Sequence, residues 1–246
     1  MTLANFMTNT QQSTAVRGLF VAKPGVGKTW NALMAPNSLL IDCERSAQVY
    51  RGQFQNMTRP IYDWLEFKQI INALITEPQP PATIFIDTIG AVIKGLIDHI
   101  TQLDKKCSPT STLTLIHGGW GAGANIVRNN IEKWILEPLN KLVDRGINVI
   151  LLSHVTTEKT PNISDPNAEK LVPDMHHKSF PPMFIKWVDF YCEGVLNINK
   201  TRTVNTKATN IIELKNRFNL PDKMNLDWNE IFYYIEQGKQ RNLQAQ

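Results

Sequence analysis

The feature that most restricts this chain's fold is the run AlaLysProGlyValGlyLysThr, from Ala22 to Thr29. A short apolar stretch precedes it and a helix-like stretch follows. A buried strand must therefore enter a tight turn that ends on a lysine and a hydroxyl. Gly25 and Gly27 let the backbone take positive φ and approach a ligand without a side-chain clash. Backbone N–H groups in such a turn converge on a concavity that takes a phosphate. Lys28 would then reach the β and γ phosphates of a nucleoside triphosphate, and the Thr29 hydroxyl would ligate Mg²⁺. Lys23, Pro24, Val26 and Trp30 complete the nucleotide-binding run. Ala22 stands where the motif ordinarily begins with glycine, which restricts the backbone there but removes neither the lysine nor the hydroxyl.

Around this loop the chain alternates apolar runs with helix-like segments, the pattern of an α/β fold with a mostly parallel sheet. Buried strands are predicted at residues 18–22, 38–42, 83–87 and 148–153. Helices are predicted at 28–34, 63–75, 91–103 and 126–145. Pro138 should kink or restart the last of these, and Gly146 should end it. Later segments, 188–196 and 209–214, read as β, with a short amphipathic helix at 228–235 closing the fold. Residues 1–16 read as a flexible N-terminal arm and 17–246 as a single domain. Two stretches, 107–123 and 156–182, read as long loops, a length usually tied to function or disorder.

Four further segments carry polar residues at expected strand tips, where open α/β sheets bind ligands. Asp87 ends ThrIlePheIleAsp, roughly 60 residues after the phosphate loop, and is a second candidate for Mg²⁺. LeuLeuIleAspCysGluArg offers Glu44 as the carboxylate that activates a water, with Asp42 as the second candidate. His154 ends ValIleLeuLeuSerHis and could contact the γ-phosphate, or be an ordinary hydrogen-bonded histidine. In GluLeuLysAsnArgPhe, strand geometry would put Lys215 and Arg217 on one face, two cations suited to a triphosphate or to a basic edge that discourages strand pairing.

In this order, these elements resemble the RecA-like branch of P-loop ATPases, more narrowly the small phage nucleotide-binding AAA proteins that include short RecA-like single-strand annealing and recombination proteins. The resemblance runs from about Arg17 to Phe218. It implies ATP with Mg²⁺, Glu44 as the catalytic glutamate, Asp87 on the Walker B strand and His154 in the place of a nucleotide-sensing glutamine. It also makes Lys215 and Arg217 a finger pair serving a neighbouring subunit's nucleotide, hence assembly into a ring or filament. The two long loops would contact single-stranded DNA. Trp120, in HisGlyGlyTrpGlyAlaGly, would then stack on a base or else pack into the core. Lys200, Arg202 and Lys207 read as a hairpin that is either basic and functional or merely solvated.

The expected function is an ATP-hydrolysing protein acting on single-stranded DNA in phage-type recombination or annealing, with a single-strand DNA-binding protein as a further partner. The alternative is a nucleotide-gated loader or adaptor. A small-molecule kinase is disfavoured because no arginine-rich lid is found. A net charge of +4 over 246 residues does not by itself call for nucleic acid. Three widely spaced cysteines suggest neither a disulfide framework nor a zinc site, and a reduced, cytoplasmic protein is expected. No run approaches the roughly 20 apolar residues of a membrane span.

Overall fold

The computed structural model describes residues 15–106, 108, 111–160 and 168–244. The first fourteen residues of the expected arm lie outside them. Val16, also assigned to the arm, is buried, and its N–H donates to Asn148 Oδ1.

Five strands run parallel: β1 (Arg17–Ala22), β2 (Ser38–Asp42), β3 (Thr83–Asp87), β4 (Asn148–Ser153) and β7 (Phe190–Leu196). Their spatial order is β7-β1-β4-β3-β2, so β4 lies between β1 and β3. Three antiparallel strands extend the β7 side: β8 (Arg202–Asn205), β9 (Lys215–Asn216) and β10 (Lys223–Asn225). The expected α/β architecture, mostly parallel with antiparallel C-terminal strands, is the one observed.

Strand side chains alternate between two apolar cores. Leu19, Val21, Ile84, Ile86, Val149 and Leu151 face helices α2 (Trp64–Thr76), α3 (Ile89–Gln102), α4 (Ala122–Ile131), α5 (Glu137–Asp144) and α6 (Pro181–Trp187). Phe20, Phe85, Ile150 and Leu152 face α1 (Lys28–Met34) and α7 (Trp228–Gln244). The sheet is buried on both sides, which is why its strands read as continuous apolar runs.

Several segments depart from expectation. The helix at 126–145 is interrupted by a π turn, Glu132–Leu136, just before Pro138. Proline has no N–H to donate into the preceding turn, and a π register absorbs that gap. Gly146, at φ +85°, ends the helix as expected. The loop at 156–182 contains two paired antiparallel strands, β5 (Val155–Lys159) with β6 (Glu169–Pro173), because Val155 and Leu171 pack one face of the pair against the core. Among the described residues no strand forms at 209–214; only Ile212 bridges, to Leu171, and β9 begins at Lys215. The closing helix runs to Gln244 rather than stopping at 235.

Trp228 anchors that helix. It is buried, with its ring centroid 4.9 Å from that of Phe85 and 5.8 Å from that of Phe20, both edge-on. Trp228→Ala is expected to destabilise the protein by about 3–5 kcal/mol in urea unfolding. A loss below about 1 kcal/mol would mean that α7 is not part of the cooperative core.

Candidate functional site

The parallel register brings the C-terminal tips of β1, β2, β3 and β4 to one end of the sheet. Ala22 is the last residue of β1, in regular strand conformation opposite Gly194 of β7. Phe20 and Ala22 would crowd any Cβ at position 194, so Gly194 makes room for this edge. The positive φ values fall on Gly25 (+82°) and Gly27 (+101°), not at Ala22, which explains why alanine is tolerated there. Val26 is buried under the turn, and its N–H points back to the Lys23 carbonyl.

Lys28 is buried. Its Nζ donates to the Ala22 carbonyl at 3.1 Å and to His154 Nδ1 at 3.1 Å. With Nδ1 accepting, His154 Nε2–H donates to Glu44 Oε2, also at 3.1 Å. Thr88 donates its hydroxyl to Glu44 Oε1 at 2.6 Å and caps α3 by accepting from Ala91 N–H. One threonine thus fixes both the helix start and the glutamate. Thr29 donates to Asp87 Oδ2 at 2.6 Å, and Ser46 approaches the same oxygen. Asp42 is turned away: it is buried and accepts from Gln48. Of the two carboxylate candidates, only Glu44 stands with Lys28 and His154.

The electrostatics follow from burial. Desolvation, opposed by the Thr29 hydrogen bond and reinforced by Glu44, raises Asp87 from 3.8 to about 6. Burial would also raise Glu44, but hydrogen bonds from His154 and Thr88 and the nearby Lys28 bring it below the usual value. Burial lowers Lys28, partly offset by Asp87 and Glu44.

Asp87 Oδ1 is buried and has no protein hydrogen-bond partner. An ionised oxygen in that position is costly unless a cation meets it. Asp87 and Thr29 therefore fit Mg²⁺, which takes few protein oxygens and keeps waters and substrate phosphates. Among the described residues no cluster of three His, Cys, Asp or Glu suggests another metal centre.

An open cleft of about 500 Å³ joins the phosphate loop, Glu44, Asp87 and His154. Of the nucleotide-binding run, Pro24, Gly25, Gly27, Lys28, Thr29 and Trp30 line it and Lys23 and Val26 do not; Tyr50 faces Trp30 edge-on at 5.3 Å. Sequence reasoning missed Tyr50 and Ser46, and it named Arg202 only within a basic hairpin rather than in this cleft. The first two follow Glu44 closely and could have been suspected. Arg202 is remote in sequence, and only the sheet brings it to the cleft.

The Lys215 and Arg217 pair is not in this cleft. Both lie by the start of β7, at the opposite end of the sheet from the phosphate loop. Lys215 donates to the carbonyls of Ile185, Lys186 and Val188, closing the end of α6. Its ammonium protons are thereby engaged, and the expected pair of available cations is reduced to one. Arg217 pairs with Asp189 at 3.2 Å, yet its side chain remains 57% exposed. The expected Lys200, Arg202 and Lys207 cluster also divides: a β7–β8 hairpin does form, but Lys207 pairs with Asp222.

Residues 14–218 match an AAA domain family, AAA_24. The chain belongs to this family. A comparison with curated proteins finds no match. The matched span includes the phosphate loop and the strand tips that carry Glu44, Asp87 and His154, and membership of an AAA-type P-loop family suggests that this domain binds a nucleoside triphosphate. Among the described residues no helix is long and apolar enough to cross a membrane. Cys43 and Cys192 are free thiols, and Cys107 lies outside the described residues.

Asp87 gives this site a pH signature. Its raised carboxyl holds a proton more tightly in the native than in the unfolded chain, so its contribution is unfavourable above about pH 6 and fades towards pH 4. The difference is about 3 kcal/mol at neutral pH. Without divalent cations, Asp87→Asn should stabilise the protein at pH 7 and lose that advantage near pH 4, read by urea unfolding. An advantage independent of pH would show that the carboxyl is not raised.

Proposed function

We propose that this AAA domain hydrolyses ATP with Mg²⁺ and acts on single-stranded DNA, in recombination or annealing of the phage type. The observation that carries the reading is His154. Its two ring nitrogens touch Lys28 and Glu44, and its carbonyl accepts from Asp174 N–H, just beyond β6. One residue thus joins the phosphate-binding lysine, the carboxylate and the root of the β5–β6 pair. A γ-phosphate that draws Lys28 away from His154 changes the support of that pair.

Lys28 and the loop amides bind the phosphates. Glu44, ionised and held by Thr88 and His154, has lone pairs left to orient a water and accept its proton. Mg²⁺ held by Thr29 and Asp87 would neutralise charge on the phosphates. Trp30 and Tyr50 offer aromatic surface for the base.

DNA contact is supported by Trp120. It is fully exposed (103%), between Gly119 and Gly121, and all three residues have positive φ. It therefore does not pack into the core, and its exposed ring is available for stacking on a base, which supports this reading of the loop. The proposal includes assembly into a ring or filament, in which Arg217 serves the nucleotide of a neighbouring copy. Its exposure, remote from its own phosphate loop, supports that role.

Glu44→Gln should bind ATP and abolish turnover, and should hold fluorescent single-stranded DNA in anisotropy assays when ATP is present. Trp120→Ala should weaken that DNA binding by about 1–3 kcal/mol without altering ATP affinity. Absence of ATP-dependent DNA binding across a range of salt would sink the DNA reading while leaving the ATPase reading intact. For assembly, Lys28→Ala and Arg217→Ala copies, each inactive alone, should regain turnover when mixed; failure to complement would remove Arg217 from a neighbour's site.

A further inference from the structure

Arg202 is the one charged side chain of the cleft that the reading above leaves without a task. It opens β8, whose backbone is fixed on both sides: β7 pairs with one edge and β10 with the other, and Leu226 N–H donates to the Arg202 carbonyl at 3.0 Å. The side chain leaves this braced strand and crosses the phosphate loop. A Cβ built on Gly27 would lie 3.2 Å from Arg202 Nε and 3.5 Å from its Cδ. Gly27 therefore serves two needs, a positive φ and clearance for the arginine stem.

The guanidinium lines the same cleft as Lys28, Thr29 and Asp87. The nearby acids face other groups: Glu44 receives Thr88 and His154, Asp87 Oδ2 receives Thr29 and Ser46, and Asp87 Oδ1 is buried. Among the described residues Arg202 has no carboxylate partner within ion-pair distance. An exposed arginine and a buried lysine thus face one cleft from different walls, two cations converging where no protein anion answers the arginine. A planar fork of N–H donors matches phosphate oxygens in a way that a lysine does not.

We infer that Arg202 is a same-chain phosphate ligand, binding the phosphate chain of the nucleoside triphosphate opposite Lys28. This rests on the proposed nucleotide site and adds to it. The chain's own site then holds two phosphate-binding cations, independent of any supplied by a neighbour. Arginine at this place also ties the nucleotide to the β7–β8 hairpin, an element that the Lys28–His154–Glu44 contacts do not reach.

The test compares wild type, Arg202→Ala, Arg202→Lys and Lys28→Ala as full chains. Affinities are measured for a non-hydrolysable ATP analogue, for adenosine and for inorganic tripolyphosphate as a competitor. Arg202→Ala should bind the ATP analogue and tripolyphosphate about tenfold more weakly, with a shallower salt dependence and unchanged adenosine binding. Its melting temperature without nucleotide should match wild type, because among the described residues the side chain has no hydrogen bond or ion pair to lose. Arg202→Lys should recover part of the loss.

Wild-type affinity for both phosphate ligands in Arg202→Ala, with Lys28→Ala impaired, would overturn the role of Arg202 alone. Weakened ATP-analogue binding with normal tripolyphosphate binding would assign Arg202 to the nucleoside and also overturn it. Wild type that binds neither phosphate ligand would overturn the nucleotide site itself.

Discussion

The site depends on the backbone hydrogen bonding of β4 between β1 and β3. Pairing of Val21 with Ser153 and of Asp87 with Leu152 sets the height at which His154 leaves the sheet. That height lets one imidazole span Lys28 and Glu44, residues from separate strand ends. A register slip would turn the strand over and carry the contacts away, since strand side chains alternate faces. Two apolar cores lock the register, because both faces of β1, β3 and β4 are buried.

At the tips of β2 and β3 the sequence concentrates negative charge on this frame, although the chain as a whole is net positive. Asp42 and Asp87 face each other in register, and the Cys43 and Glu44 amides donate to the Asp87 carbonyl. Three carboxylates therefore crowd the tips of two strands. The fold satisfies them unequally: Glu44 receives Thr88 and His154 on its two oxygens, whereas Asp42, met by Gln48, and Asp87, met by Thr29, each keep one buried oxygen without a protein partner, and of those two only Asp87 lines the cleft. An incompletely satisfied buried carboxylate weakens the protein unless something bound answers it. Stability and ligand binding thus draw on the same side chain.

The cations are sorted by the same geometry. Lys28 and Arg202 face the cleft, Lys215 closes a helix end, and Arg217 lies across the sheet beside Asp189. The antiparallel strands beyond β7 decide this. Chain reversal at residues 197–201 returns Arg202 to the phosphate-loop end, whereas β9 pairs only with the start of β7.

Much of the molecule is legible from local sequence. The four apolar runs ending at Ala22, Asp42, Asp87 and Ser153 are strands because they are short, buried and terminated by polar residues. The glycine turn before Lys28 declares its anion site because only a few backbones suit it. Glu44, Asp87 and His154 could be named because each lies at or just beyond a strand tip, a position that sequence periodicity reveals. The β5–β6 pair was missed because its apolar face is thin, resting on Val155 and Leu171. Lys215 misled because periodicity reports a residue's face but not the carbonyls waiting there. Arg202 was visible only as part of a basic hairpin with Lys200 and Lys207, and nothing local tied it to the phosphate loop, since exposed arginines after a turn are ordinarily solvated. The sequence by itself determined the strand tips and the chemistry each carries. Only the tertiary structure decided which cations meet that chemistry, because the non-local pairing of β7 with β1 carries the β7–β8 reversal to the phosphate-loop end and leaves β9 at the other.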